Sequence, residues 1–185
     1  MKKTLLLAAL IGTACLAHAQ DTFTETPDHK TPVAEEWKGV KNIRAAWGTS
    51  DVRYDWHAMP DVKALKRSET LTAWRGERVS TQAFIYSGVA TDSVAPMSFQ
   101  LSTFKNGRHT LPAEAVKAAF VRYVKTDAWS TPDGRGAGCG HRPDHTIYDS
   151  AMVADMIDPH IEAIAMDAMS TRSVWVSCQI PADAV

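Results

Sequence analysis

Trp74-Arg75-Gly76-Glu77-Arg78-Val79-Ser80-Thr81-Gln82-Ala83-Phe84-Ile85-Tyr86-Ser87 is the stretch on which the fold turns. A charged turn, Arg75-Gly76-Glu77-Arg78, opens it, and a strand follows. Alternation sends Val79, Thr81, Ala83 and Ile85 to one face and Ser80, Gln82, Phe84 and Tyr86 to the other. The aliphatic set predicts a sheet that buries Val79, Ala83 and Ile85, while the other face starts polar and ends aromatic, as in a strand whose far end a neighbouring element covers. Glu77 between Arg75 and Arg78 offers a local ion pair to fix the turn, at the small gain that exposed pairs give.

Further strands read outward from this one. Upstream, Val40 to Tyr54 carries Ile43, Ala45, Trp47, Val52 and Tyr54, with Gly48-Thr49-Ser50-Asp51 as a turn or bulge, and Asp61 to Ser68 reads as a short helical turn. Downstream, Met97 to Phe104 alternates and ends at the turn signal Asn106-Gly107. Ala119 to Lys125 predicts a strand with Val121 and Tyr123 opposite Phe120, Arg122 and Val124. Met152 to Asp158 is a short apolar segment. Ser173 to Ile180 is a strand with Val174, Val176, Cys178 and Ile180 on one face and Trp175, Ser177 and Gln179 on the other. Short strands at this spacing, separated by turn residues, define an all-β fold, an antiparallel β-sandwich over residues 40–185.

The N-terminus carries an export signal. Lys2 and Lys3 form a charged start, Thr4 to Leu16 an apolar run too short to span a bilayer, and Ala17-His18-Ala19 a small-x-small cleavage site. Residues 1–19 are therefore read as a signal peptide, and the polar, Thr- and Pro-containing residues 20–39 as a flexible leader. Losing Lys2 and Lys3 takes the net charge from -1 to -3. The rival processing is lipidation at Cys15, since Gly12-Thr13-Ala14-Cys15 loosely resembles a lipobox. That route alone would give the protein a membrane association. Either way the expected location is the periplasm, the cell surface or outside.

Composition removes other classes. Twenty Lys and Arg against 21 Asp and Glu, scattered without a basic stripe, give no basis for nucleic-acid binding. The 6 Trp hint mildly at a carbohydrate-handling or Trp-packed secreted domain. After cleavage only Cys139 and Cys178 remain, an even number in an oxidising compartment. A disulfide between them would close a loop of about 40 residues, worth roughly 3–4 kcal/mol on the chain-entropy model. Two unpaired thiols are the equal alternative.

Candidate chemistry is sparse. Cys139, His141, Asp144 and His145 share one short loop at the end of the glycine-rich run Thr131 to Gly140, but their spacing matches no standard zinc pattern. That run also lacks the Gly-Lys-Ser/Thr ending of a phosphate loop. Asp155 and Asp158, three apart, would share one face of a helical turn. Such a pair can do acid–base work, but at the end of a short segment before Pro159 capping or solvation is the simpler role. There is no Gly-x-Ser-x-Gly elbow. No catalytic, metal or cofactor residue is assigned.

The opening stretch also resembles a family signature. Trp74-Arg75-Gly76-Glu77-Arg78-Val79-Ser80-Thr81-Gln82 is similar to the W-[RK]-G-E-R-v-x-x-Q pattern of the N-terminal domain of glycoside hydrolase family 123 and its relatives. Ser50-Asp51-Val52-Arg53-Tyr54, Val121-Arg122-Tyr123-Val124, Cys139-Gly140, Val153 to Asp158 and Val174 to Ala184 fall in the family's order. The resemblance implies an N-terminal sandwich followed by a (β/α)₈ barrel that hydrolyses N-acetylgalactosaminides. The barrel would use an Asp-Glu pair and the substrate's own acetamido oxygen. None of the positions that match here is catalytic in the family. The expectation is therefore a truncated, non-catalytic N-terminal domain whose partner is the barrel of the same protein and which meets glycan only through it. The competing class is a self-standing carbohydrate-binding or adhesion sandwich with exposed Trp or Tyr.

Overall fold

The computed structural model describes residues 24–61, 63, 65–91, 96–106, 109–126 and 151–184. In chain order these form a short helix α1 (Ala34–Trp37) and strands β1 (Arg44–Gly48), β2 (Arg78–Ser87), β3 (Met97–Ser98), β4 (Lys105–Asn106), β5 (His109–Thr110), β6 (Val116–Thr126), β7 (Ala151–Asp158), β8 (Ala163–Ile164) and β9 (Ser170–Gln179). Five of the strands make one antiparallel sheet in the order β1-β2-β9-β6-β7, while β3 with β8 and β4 with β5 form two-stranded ribbons. The fold is all-β with antiparallel pairing throughout.

β2 is the expected strand, paired along its whole length with β9 from Arg78↔Gln179 to Ser87↔Ser170. The turn before it is fixed otherwise than by ion pairing. Glu77 N–H donates to the Trp74 carbonyl at 3.1 Å, and the Glu77 carboxylate accepts the Trp74 N–H at 2.6 Å. Gly76 supplies the positive φ of 78° that this turn requires. The Trp74 N–H, fixed in the backbone of the same turn, is a better-placed donor for Glu77 than either flexible arginine.

The more deeply buried face of β2 is the one that starts polar. Gln82, Phe84 and Tyr86 are buried, whereas Val79, Ala83 and Ile85 are half-buried. Phe84 and Tyr86 pack with Trp37 of α1 and Val40, flanked by Ala46, Tyr54, Met59, Leu65 and Met169. Aromatic rings offer more apolar area than Val or Ala, so the covering segment settles on them. Gln82 is tolerated there because its amide donates to the carbonyls of Thr49 and Val52 at 3.1 and 2.9 Å.

The same sheet face continues across β6 and β7. Trp56, Val121, Tyr123, Met152 and Ala154 form a second buried cluster with Trp175 against it. Residues 37–61 and Leu65 thus cover one face of the sheet. On the other, Phe99 packs against Phe120 with ring centroids 5.0 Å apart and ring planes tilted by 57°, so the segment after β3 covers part of that side.

Several local expectations are corrected. Lys66, expected in a helical turn, makes a β-bridge to Trp47 through both backbone hydrogen bonds at 2.8 and 3.2 Å. The β1 edge offers unpaired backbone groups that an extended segment satisfies and a helical one does not. Only Met97–Ser98 of the Met97–Phe104 stretch pairs, and its partner is Ile164–Ala163. Met152 to Asp158 lies within strand β7. The stretch expected as a flexible leader contributes α1, whose Trp37 is buried, and Glu25, whose side chain is 9% exposed. The signal peptide, the turn residue Gly107, and the loop with Cys139, His141, Asp144 and His145 lie outside the described residues.

Candidate functional site

The densest polar chemistry lies where the sheet opens. β6 and β9 pair only from Val116↔Cys178 to Phe120↔Val174, although β6 runs on to Thr126 and β9 begins at Ser170. Beyond Phe120 the two strands part, and their facing groups need other partners. Tyr123 N–H donates to the Glu25 carboxylate at 2.8 Å, and Thr171 N–H donates to the Trp56 carbonyl at 2.8 Å. The Tyr123 hydroxyl fills the space between, donating toward the carbonyls of Tyr54 at 2.7 Å and Thr171 at 3.1 Å.

Four charges meet in this opening. Glu25 lies 3.1 Å from Arg122 Nε and 2.9 Å from Arg172 Nη1, and Asp158 lies 3.3 Å from Arg122 Nη1. The side chains of Arg122 and Arg172 are only 7% and 3% exposed. Two cations and two anions balance, as burial demands. Arg172 also stands over the Trp56 ring at 3.8 Å from its centroid, which places a largely desolvated guanidinium on a π face. Burial pushes the Tyr123 hydroxyl well above the ordinary tyrosine range, with Arg172 pulling in the opposite direction. Tyr123 is therefore a neutral donor, not an acid. Each charge here is answered by another, so the cluster joins the leader to β6, β7 and β9 and leaves no carboxylate aimed at a substrate.

Asp155 and Asp158 do not form an acid–base pair. Both sit on β7, where Tyr123 faces Ala154 and Arg122 faces Met156, so Asp155 is the extra residue of a β-bulge. Asp155 is thrown outward and pairs with Arg53 at 2.9 Å, while Asp158 turns in to Arg122 and accepts the His160 N–H at 3.0 Å. Each carboxylate answers to a different arginine. The sequence suggested a shared face because three residues apart is a helical spacing; on a strand the bulge decides the direction.

An open cleft of about 500 Å³ borders β1, lined by Gly48, Arg53, Tyr54, Asp55, Asp61 and Lys66 among others. Tyr54 stacks on Phe84 at 4.4 Å, and burial raises its pKa. Cys178 is half-buried on β9, opposite Val79 and Val116, and burial raises its thiol pKa. Cys139 is outside the described residues, so the pairing of the two stays open. Among the described residues no group of three or more His, Cys, Asp or Glu is placed to hold a metal ion, and no helix is long and apolar enough to cross a membrane. Sequence reasoning missed Glu25 altogether. Its only signal was an acid upstream of two arginines, Arg122 within an expected strand and Arg172 just before one.

With this architecture in place, the comparisons define the class. Residues 47–185 match the glycoside hydrolase 123 N-terminal domain. The chain belongs to that family. No curated protein shows significant similarity to it. Among solved structures, a family 123 glycoside hydrolase from Clostridium perfringens, studied for glycolipid glycan hydrolysis, shares the fold with a TM-score of 0.54 and 15% identity. The alignment covers 77% of this chain and 22% of that one, so the chain spans about a fifth of the length of that enzyme.

Proposed function

We propose that this chain is the non-catalytic N-terminal β-sandwich of an exported glycoside hydrolase acting on N-acetylgalactosamine-type glycosides, with the catalytic (β/α)₈ barrel elsewhere in the same polypeptide. The observation that carries the reading is the family match over residues 47–185, taken with the fraction of a family 123 enzyme that this fold accounts for. The site chemistry agrees with it. Glycoside cleavage needs a carboxyl held at a sugar-sized cleft. The two carboxylates of β7 are each bound to an arginine, and of the two acids that line the open cleft by β1, Asp55 and Asp61, the second accepts the Lys63 N–H at 3.0 Å. The five-stranded sheet supports the reading as one layer of such a sandwich, and the contact of Phe99 with Phe120 supports a further segment lying on its other face. Export rests on residues 1–19, and cleavage before Gln20 would leave Glu25 five residues from the new terminus.

The test compares the full-length gene product with purified residues 20–185 on aryl N-acetylgalactosaminides. The full protein should turn over and residues 20–185 should not. Turnover by residues 20–185 that Asp155→Asn or Asp158→Asn abolishes would place the active site here and reject the reading. N-terminal sequencing of the exported protein should begin near Gln20; a lipid-blocked terminus at Cys15 would replace secretion with surface anchoring. Thiol titration of the same material under denaturing conditions decides between a Cys139–Cys178 bridge and two free thiols, and two titratable thiols would reject the bridge.

A further inference from the structure

One end of the sheet presents an aromatic side chain that the described residues do not cover. Trp74 is 82% exposed, and Leu71 nearby in the chain 45%. Trp74 nevertheless sits on a pinned turn. Its N–H and carbonyl are both bonded to Glu77, and the Gln179 side-chain amide donates to the carbonyls of Gly76 at 2.9 Å and Glu77 at 3.3 Å. A ring presented on an ordered turn loses little freedom when a partner covers it, and Trp is favoured at the centres of interfaces.

The register gathers further apolar surface at this end. Val79↔Cys178 and Val116↔Cys178 bring the start of β2, the end of β9 and the start of β6 side by side. Val116 lines a groove of about 240 Å³ with Leu101, Phe104, Leu111 and Pro112. Leu101 and Phe104 are 40% and 41% exposed. The polypeptide also leaves the sheet here: after β9, Ile180 N–H donates to the Glu77 carbonyl at 2.8 Å, inside the Trp74 turn.

We infer that this end of the sheet is the docking surface for the catalytic domain of the same polypeptide, with Trp74 as its anchor. The inference rests on the function proposed above. Two observations select that occupant over a second copy of the chain. The fold accounts for 22% of the family 123 enzyme it resembles, so most of that enzyme lies outside this domain. The chain leaves β9 beside Trp74, where the Ile180 N–H is bonded to the Glu77 carbonyl, so a catalytic domain joined to that exit meets this surface at raised effective concentration.

The test uses the full-length protein with benzoylphenylalanine in place of Trp74. Irradiation should join residue 74 to a peptide of the catalytic domain within one polypeptide, and the same replacement at exposed Ile157 on β7 should not. Cross-links confined to residues 24–184, cross-links between two polypeptides, or none at all would overturn the inference. Limited proteolysis supplies a second measurement. Trp74→Ser should speed cleavage between the domains severalfold while Ile157→Ser leaves it unchanged, and equal rates for the two would also overturn it. An intact product whose mass leaves no room for a barrel would instead overturn the proposed function beneath it, and that is read before irradiation begins.

Discussion

Glu25 is the residue whose removal should be felt most. It is the carboxylate that lies between Arg122 and Arg172 and also accepts the Tyr123 N–H. Glu25→Gln keeps the shape and removes the charge, leaving a surplus of positive charge in a buried opening. Breaking a buried ion pair in this way costs about 3–5 kcal/mol. Urea unfolding of the variant should show a much lower midpoint, whereas exposed Glu36→Gln should stay within about 0.5 kcal/mol of the parent. Tyr123 gives a second test through pH. Its folded pKa is raised by burial above the unfolded value of about 10. Between those values the unfolded chain has lost a proton that the folded chain keeps, so stability is fully present below pH about 10 and falls as pH rises above it. Tyr123→Phe should lower stability at neutral pH by about 1–2 kcal/mol through its lost hydrogen bonds. It should also flatten the alkaline fall in melting temperature relative to the parent. An unchanged alkaline slope would contradict the buried, neutral hydroxyl.

At the scale of elements, α1 and Val40 are held against β2 by close backbone approach at Gly88. A Cβ there would overlap the Val40 carbonyl oxygen. Gly88→Ala should cost about 1–3 kcal/mol as overpacking does, and should expose Trp37 to a fluorescence quencher. Gly76→Ala, with open space around it but φ at 78°, should cost about 1–2 kcal/mol from the left-handed backbone alone. Strands were legible wherever alternation persisted, in β2, β6 and β9, because a two-residue period suits a pleated strand and scatters apolar residues around a helix. Which face is the core was not legible on β2. Gln82 reads as solvent-facing until the carbonyls of Thr49 and Val52 are seen to take its amide. The bulge at Asp155 was hidden for a similar reason, since it depends on the partner strand's register. α1 is four residues long and has no apolar period to announce it; only the burial of Trp37 gives it away. Glu25 was beyond reach because its partners are 97 and 147 residues away in the chain.

At the scale of the whole molecule, the described residues form a five-stranded antiparallel sheet covered on one face by residues 37–61 and Leu65 and partly on the other by the segment around β3. Its polar interior is spent on holding strands together where their ladder ends, and its β7 carboxylates are bound to arginines. The function proposed above makes this body the partner of a catalytic domain in the same polypeptide, and the acids at its open cleft, Asp55 and Asp61, lie beside Arg53 and Lys66 on the cleft lining. The most direct measurement is the rate of aryl N-acetylgalactosaminide hydrolysis by residues 20–185 beside that of the full-length protein, across the acid to neutral pH range. Turnover confined to the full-length protein is the predicted result. Turnover by residues 20–185 alone, removed by Asp155→Asn or Asp158→Asn, would contradict it.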